Sequence, residues 1–316
     1  MKNNLYTLLK ADEKQVRKIV IKSLKANGYM PIVTEDFIYA AGSIPVLLVA
    51  HYDTFEESPR YIKNDNGILT GRIGNKPHQL GADDRAGIYA ILETIPKHHC
   101  HVLFTGGEER GGIGATAFTN SGIKPDVNYC LQFDRKGAND AVYYWADNPD
   151  FEDFISEHGW ETADGTYTDI CEICPYLGVM GVNLSIGYMN EHTVLETLDT
   201  EVMNLNIKRI PELLDGEKFD YIEAEYSYDY PDWYRGLYYG GSWLDDEPDF
   251  TFKWKGDRYE REEKVKEFLV RFYDGDEESE YETVNAEDYF AAIGIFLINH
   301  PTLTYRHIIS CIRLAS

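Results

Sequence analysis

Four short apolar runs, Val46–His51, Val102–Thr105, Val127–Phe133 and Val182–Ile186, constrain this chain more than any other feature. Each is β-branched or otherwise apolar and is bounded by Gly, Asp or Pro, the mark of a strand buried on both faces. Helical patterns lie between and after them, at Asp84–Ile95, Gly112–Thr119, Asp150–His158 and Thr200–Leu214. Strands alternating with helices predict an α/β fold, a three-layer α/β/α sandwich around a mostly parallel, mixed central sheet. In such sheets chemistry gathers at the carboxyl ends of the strands. Polar residues at those ends are therefore the first candidates for a site.

The chain has 316 residues, 43% of them hydrophobic, which is ample for a core. No apolar run reaches the roughly 18 residues of a membrane span, and the N-terminus, broken by Lys10, Asp12, Glu13 and Lys14, does not read as a secretory signal. A net charge of -24 argues against nucleic acid or an anionic membrane as the main partner. Five scattered cysteines make no disulfide framework, so a soluble, cytoplasmic protein is expected.

Charge and texture change near residue 215. Residues 1–210 carry a balance of about -10, and residues 211–316 about -14 in half the length. Seven tyrosines and Trp233 crowd the acidic stretch from Tyr221 to Tyr239. The expected division is a catalytic domain at 1–215 and an acidic, aromatic-rich accessory region at 216–316, joined in no obvious repeat. Within the second part, Arg261–Tyr273 and Ala286–Asn299 read as amphipathic helices, and Asp274–Glu282 as a solvated connection.

Five strand-end or turn positions hold metal-binding side chains. His51 ends VLLVAHYD, with Asp53 two residues on. Period-two geometry sets the pair on one side, where a carboxylate fixes the tautomer of a metal-bound imidazole. Asp83 lies in GADDRAG, Glu108 and Glu109 follow a strand in VLFTGGEERGG, Asp134 ends YCLQFD, and His192 follows the last run in GYMNEHTVLE. Singly, each has an ordinary explanation. Adjacent glutamates suit a helix start, and Asp83 or Asp84 suits an N-cap. All five, however, lie in order at predicted strand ends, where side chains converge.

The stretches AHYDT, LGADDRAG, GGEERGGIGA, LQFDRKG and GYMNEHTVLE resemble the co-catalytic di-zinc exopeptidases. That superfamily includes the single-domain zinc aminopeptidases, the peptidase T and acetylornithine-deacetylase type, and the glutamyl-aminopeptidase type. The resemblance covers most of residues 40–200. It implies that His51 and Asp134 hold one Zn²⁺, that Glu109 and His192 hold a second, and that Asp83 bridges them. It also implies that Glu108 is the general acid/base and Asp53 the partner of His51. Two Zn²⁺ per chain follow as cofactors, with Co²⁺ or Mn²⁺ able to replace them. The donor types suit this: zinc takes imidazole nitrogen and carboxylate oxygen at about 2.0–2.2 Å, and paired hydrolytic cations sit about 3.5–4 Å apart. The implied reaction is attack of a metal-bound hydroxide on a peptide or amide carbonyl, with Glu108 taking and returning the proton.

Spacing narrows the resemblance. The 57 residues between Asp134 and His192 are too few for the inserted domain of the peptidase T type. From His51 to Asp83 the 32-residue step is too short for the inserted β-domain of the glutamyl-aminopeptidase type. The chain is most similar to the single-domain zinc aminopeptidases. An aminopeptidase acting on a peptide or small amide is the first expectation, since a negative surface favours a free α-amine. The same ligands also serve a deacylase or amidohydrolase of a small acylated metabolite, or a glutaminyl-cyclase-like enzyme. A non-catalytic binding protein on the fold is the remaining alternative, disfavoured because every ligand position is filled.

Other signals read more plainly. Cys171-Glu-Ile-Cys174 has the spacing of a redox pair or half a zinc knuckle, but no second pair exists, and a pocket-lining loop with ordinary thiols is expected. Ser185 in NLSIG lacks the first Gly of a nucleophile elbow. His98, His99, Cys100 and His101 read as a surface loop. Arg85 reads first as a structural ion pair and second as a substrate contact. Tyr188, four residues before His192, is a candidate donor to a developing oxyanion or to substrate. Oligomeric state is left open.

Overall fold

The computed structural model describes residues 5–224, 266–272, 280–286, 300 and 308–313. It divides into two compact units, Met1–Gly240 and Gly241–Ser316.

The first unit is built on an eight-stranded sheet, with strand order Ile32–Val33, Phe37–Ala40, Cys100–Thr105, Ile44–His51, Tyr129–Arg135, Gly181–Ser185, Asp140–Val142, Glu161–Thr162. The four central strands, from Cys100–Thr105 to Gly181–Ser185, run parallel to one another. These are the four apolar runs of the sequence. The strand Ile44–His51 shows why they are apolar throughout. Val46, Leu48 and Ala50 join one core, while Leu47 and Val49 join a second core on the other face. Side chains alternate across a strand, so a sheet covered on both sides leaves no polar face.

The larger core lies under the helices Glu13–Ala26, Ala82–Thr94 and Pro149–Glu157, and the smaller under Ile113–Asn120 and Ile170–Leu177. Glu13–Ala26 buries Val16, Val20 and Leu24, an i, i+4, i+8 stripe. A reciprocal capping box starts it: the Asp12 side chain accepts the Gln15 N–H at 2.7 Å, and the Gln15 side chain accepts the Asp12 N–H at 3.1 Å. The fold is thus the α/β/α sandwich that the sequence predicts.

A second, five-stranded antiparallel sheet runs Tyr188–Met189, Thr197–Asp199, Ile68–Ile73, Tyr61–Asp65, with Lys76–His78 paired to Ile68–Ile73. Sequence reading passes over it because its strands are short and half polar. It matters for the site, since the loop carrying His192 joins two of its strands and the turn before Asp83 leaves a third.

Some expectations change. Cys171 and Cys174 sit on the helix Ile170–Leu177 rather than on a loop, with both thiols buried. Pro175 inside this two-turn helix hid it, because proline reads as a helix breaker. His101 and Cys100 begin a central strand instead of lying in a surface loop. In the second unit, Lys266–Phe272 is the middle strand of a three-stranded antiparallel sheet, flanked by Glu280–Ala286 and Ile308–Arg313, so over the described residues the expected helix Arg261–Tyr273 is replaced by a strand. KEFLVRF fits period two as well as a helical period, and pairing on both sides decides for the strand. Most of the helix expected at Ala286–Asn299, and the aromatic stretch beyond residue 224, lie outside the described residues.

Residues 216–224 run along the first unit. The Gly216 N–H meets the Tyr129 hydroxyl at 2.9 Å, Phe219 is buried among Tyr129, Phe151 and Phe154, and bridges join Val179 to Asp220 and Ala146 to Glu223. No helix among the described residues is long and apolar enough to cross a membrane.

Candidate metal centre

Three parallel strands deliver the first candidate ligands. His51 is the last residue of Ile44–His51, Asp134 closes Tyr129–Arg135, and Glu108 and Glu109 follow Cys100–Thr105 across the turn Gly106–Gly107. Gly107 is left-handed, with φ +74°, a conformation open to glycine and strained for side chains carrying Cβ. Asp83 enters from the turn that opens the helix Ala82–Thr94. Gly87 in that helix has to be glycine, because a Cβ there would come within 2.3 Å of an Asp84 oxygen and 2.6 Å of the Phe133 carbonyl. The motif GADDRAG therefore packs the helix start directly against the strand that bears Asp134.

The side chains converge. His51 is fully buried, with Nε2 3.0 Å from Asp83 Oδ1, 3.4 Å from Asp134 Oδ1 and 4.0 Å from Glu108 Oε2. Asp83 turns its other oxygen, Oδ2, to His192 Nε2 at 3.2 Å. Glu109 lies against the same imidazole nitrogen, at 2.9 Å from Oε1 and 2.8 Å from Oε2. Donor atoms of His51, Asp83 and Glu109 all fall within 4.8 Å of one another, as do those of His51, Asp84 and Asp134. All seven residues predicted from sequence to act here, Asp53 included, are brought into one cluster.

Asp53 stands behind His51. Its Oδ1 is 3.4 Å from His51 Nδ1, too loosely aligned for a directed hydrogen bond, and it accepts the Glu108 backbone N–H at 3.2 Å. One carboxylate thus faces the imidazole and anchors the turn carrying Glu108. Asp134 is held from three sides. Tyr188 donates its hydroxyl to Oδ1 at 3.1 Å, and Thr168 Oγ1 and Gln132 Nε2 donate to Oδ2 at 2.9 and 3.2 Å. Tyr188 is therefore committed to the Asp134 carboxylate, not left free to face an oxyanion. Arg85 is buried and gives its guanidinium to the Tyr52 and Ala11 carbonyls, which makes it a main-chain clamp. Burial lowers its pKa to about 10. Neither of these two predicted substrate contacts reaches toward open space.

The electrostatics are extreme. Asp83, Asp84, Glu108, Glu109 and Asp134 place five carboxyl groups around two imidazoles. Burial pushes Glu108 well above the usual carboxylate range, with the Asp134 and Glu109 charges adding to it. Burial and the Asp83 charge push Asp134 up to about 7. Asp83 goes the other way despite its burial, because the two imidazoles hold its carboxylate. Like charges this close and this dry cost several kcal/mol each unless something positive compensates. Mixed imidazole and carboxylate donors are the set that divalent cations such as zinc take, so these residues fit a pair of such ions.

Four participants have roles that the sequence did not reveal. Asp84 is fully buried and accepts the His51 N–H at 3.1 Å and the Gly87 N–H at 2.9 Å. Thr168 and Gln132 hold Asp134 but carry no motif. The remaining one, Glu196, is taken up below. Phe55 stacks on His192, with ring centroids 5.2 Å apart at 22°.

Comparison with known proteins agrees with this geometry. Residues 40–172 match Peptidase family M28. No curated protein matches at the level of sequence. Among solved structures, the chain is similar to the aminopeptidase PepT of Bacillus cereus ATCC 10987, with TM-score 0.54 and 14% identity over 66% of this chain and 96% of that one. A tripeptidase of Staphylococcus aureus subsp. aureus Mu50 gives 0.53 and 16%, over 66% and 95%. The TET aminopeptidase of Thaumarchaeota archaeon SCGC AB-539-E09 gives 0.51 and 14%, over 67% and 96%. At these identities the likeness is one of fold.

Proposed function

We propose, for a chain that carries a metal-dependent peptidase domain of the co-catalytic zinc exopeptidase superfamily, that it is a di-zinc aminopeptidase. The observation that carries this reading is Asp83, whose two oxygens face two different imidazoles at 3.0 and 3.2 Å. A carboxylate so placed would serve both halves of a two-cation site, with His51 and Asp134 available to hold one cation and Glu109 and His192 the other. Bound there, two cations would acidify a water to about neutrality and polarise a substrate carbonyl.

The protein's own groups do the rest. Glu108 is a partly enclosed carboxyl, its side chain 13% exposed with Oε2 4.0 Å from His51 Nε2, and it is the group placed to take a proton and give it back. It takes the proton of the attacking water at a carboxylate oxygen and returns it to the leaving amine. Asp53 stands behind His51 and fixes the Glu108 backbone. Tyr188, Thr168 and Gln132 hold the Asp134 oxygens so that they cannot rotate away. The acidic surroundings favour a substrate with a free α-amine.

Substrates with a free N-terminus are cleaved and N-acylated ones are not, on this reading. Release of product from a panel of amino-acid anilides and short peptides, against their N-acetyl forms, tests it. Turnover confined to the N-acetyl compounds would reassign the enzyme as a deacylase. We further propose that the region from residue 216 onward is accessory to this chemistry, and that the cation in each half is Zn²⁺.

A further inference from the structure

His192 sits on an irregular loop between Tyr188–Met189 and Thr197–Asp199, and both it and Asn190 are left-handed, at φ +61° and +57°. Much of the loop is open: Val194 and Leu195 are 48% and 54% exposed, and the His192 side chain itself is 43% exposed. Its internal bonds are short-range turns, Thr193 Oγ1 to the Asn190 carbonyl and the Glu196 N–H to the Thr193 carbonyl. Such bonds do not by themselves hold a side chain against a distant element.

Two contacts do. Glu191 pairs with Lys136 at 2.6 Å, near Asp134, but both partners are partly in water, where such pairs contribute little. Glu196, four residues after His192, is wholly buried. Its Oε2 accepts the Leu80 and Gly81 N–H groups at 2.9 and 2.8 Å, and its Oε1 accepts the Asp83 N–H at 3.0 Å. Three backbone donors on one buried carboxyl group define both its position and theirs. The turn they belong to is the one that delivers Asp83, the bridge. Asp83 meets His192 directly at the other end of the same loop.

We infer that Glu196 is a positioning residue for the metal centre: it locks the His192 loop to the Leu80–Asp83 turn, and thereby sets how tightly the half held by Glu109, His192 and Asp83 binds its cation. The inference rests on the two-cation reading above. Partners standing behind metal ligands typically change affinity about 10- to 100-fold when removed. Glu196→Gln keeps the size of the side chain but turns an N–H₂ toward N–H groups, so at least one of the three bonds is lost.

The test titrates full-length wild type and E196Q with Zn²⁺ against a chelator of known affinity, and follows amide hydrogen exchange of both proteins free of metal. Wild type is expected to take two ions. E196Q is expected to bind one of them at least about tenfold more weakly, with faster exchange confined to residues 80–83 and the 190–196 loop. Should E196Q not fold, E196D, which keeps the carboxyl group and withdraws it by one methylene, is read in the same way. Two ions bound by a folded variant at wild-type affinity, or unchanged exchange at residues 80–83, would overturn the inference while leaving the two-cation reading intact. A wild-type protein that takes no Zn²⁺ would overturn both.

Discussion

Asp83 Oδ2 lies 3.2 Å from His192 Nε2, although 109 positions of chain part the two residues. Its other oxygen lies 3.0 Å from His51 Nε2. A carboxylate between two imidazoles, with Glu109 and Asp134 flanking, is the geometric core of the account, and each expectation below follows from it.

Glu108 is the proposed proton carrier and no ligand. Glu108→Gln should keep cation binding within a few-fold and lower kcat by at least about 10²-fold, the usual contribution of a general base. Steady-state kinetics with metal content measured on the same sample check this. Near-normal turnover would remove Glu108 from the mechanism.

Tyr188 bonds Asp134 Oδ1 at 3.1 Å, so its proposed role runs through that carboxylate. Tyr188→Phe should weaken cation affinity about 10- to 100-fold, and excess metal should restore most of kcat. A kcat that stays low at saturating metal would assign the hydroxyl to substrate or oxyanion instead.

Arg85 separates structure from catalysis. Its guanidinium bonds the Tyr52 and Ala11 carbonyls in a fully buried setting, so Arg85→Lys should cost about 1.5–3 kcal/mol of stability. KM should stay within twofold. Urea unfolding and kinetics on one preparation measure both, and a large rise in KM with unchanged stability would favour substrate contact.

The pH dependence of the metal-free protein has a definite sign. Asp134 is raised to about 7, Glu196 to about 8, and His51 and His192 are also raised. Each group then binds more protons folded than unfolded, so stability falls as pH rises. The carboxyl contributions are lost between about pH 4 and 8, and the histidine contributions above about 6.5. Asp83, lowered by the two imidazoles, acts oppositely but only below about pH 4. Cation binding needs the proposed ligands Asp134, His51 and His192 deprotonated and strengthens in the same direction. The gain in Tm on adding Zn²⁺ to chelator-treated protein should therefore be larger at pH 8 than at pH 5.5. Equal gains would show that the carboxylates are not crowded in solution.

What could be read from sequence followed burial. The strands ending in His51 and Asp134 were legible because a sheet covered on both faces demands apolar residues at every position, and the polar residue that ends the run then stands out. The five-stranded antiparallel sheet was not, since strands such as Tyr61–Asp65 keep only Ile62 buried and carry almost no alternation. Lys266–Phe272 was misread because seven residues hold too few periods to separate a helix from a strand. Glu196 is one acid among 54 Asp and Glu residues, and its three bonds go to main-chain groups that leave no mark on the residues bearing them. Tyr188 was singled out by proximity to His192, and only the fold could show that its hydroxyl is already spent on Asp134.

The most direct measurement is the metal content of untagged protein, purified without added metal and then exposed to Zn²⁺, for wild type and Asp83→Asn. The account predicts two ions per wild-type chain and no more than one in the variant, because one oxygen of the bridge becomes an amide nitrogen. Two ions in both proteins, or none in the wild type, would contradict it.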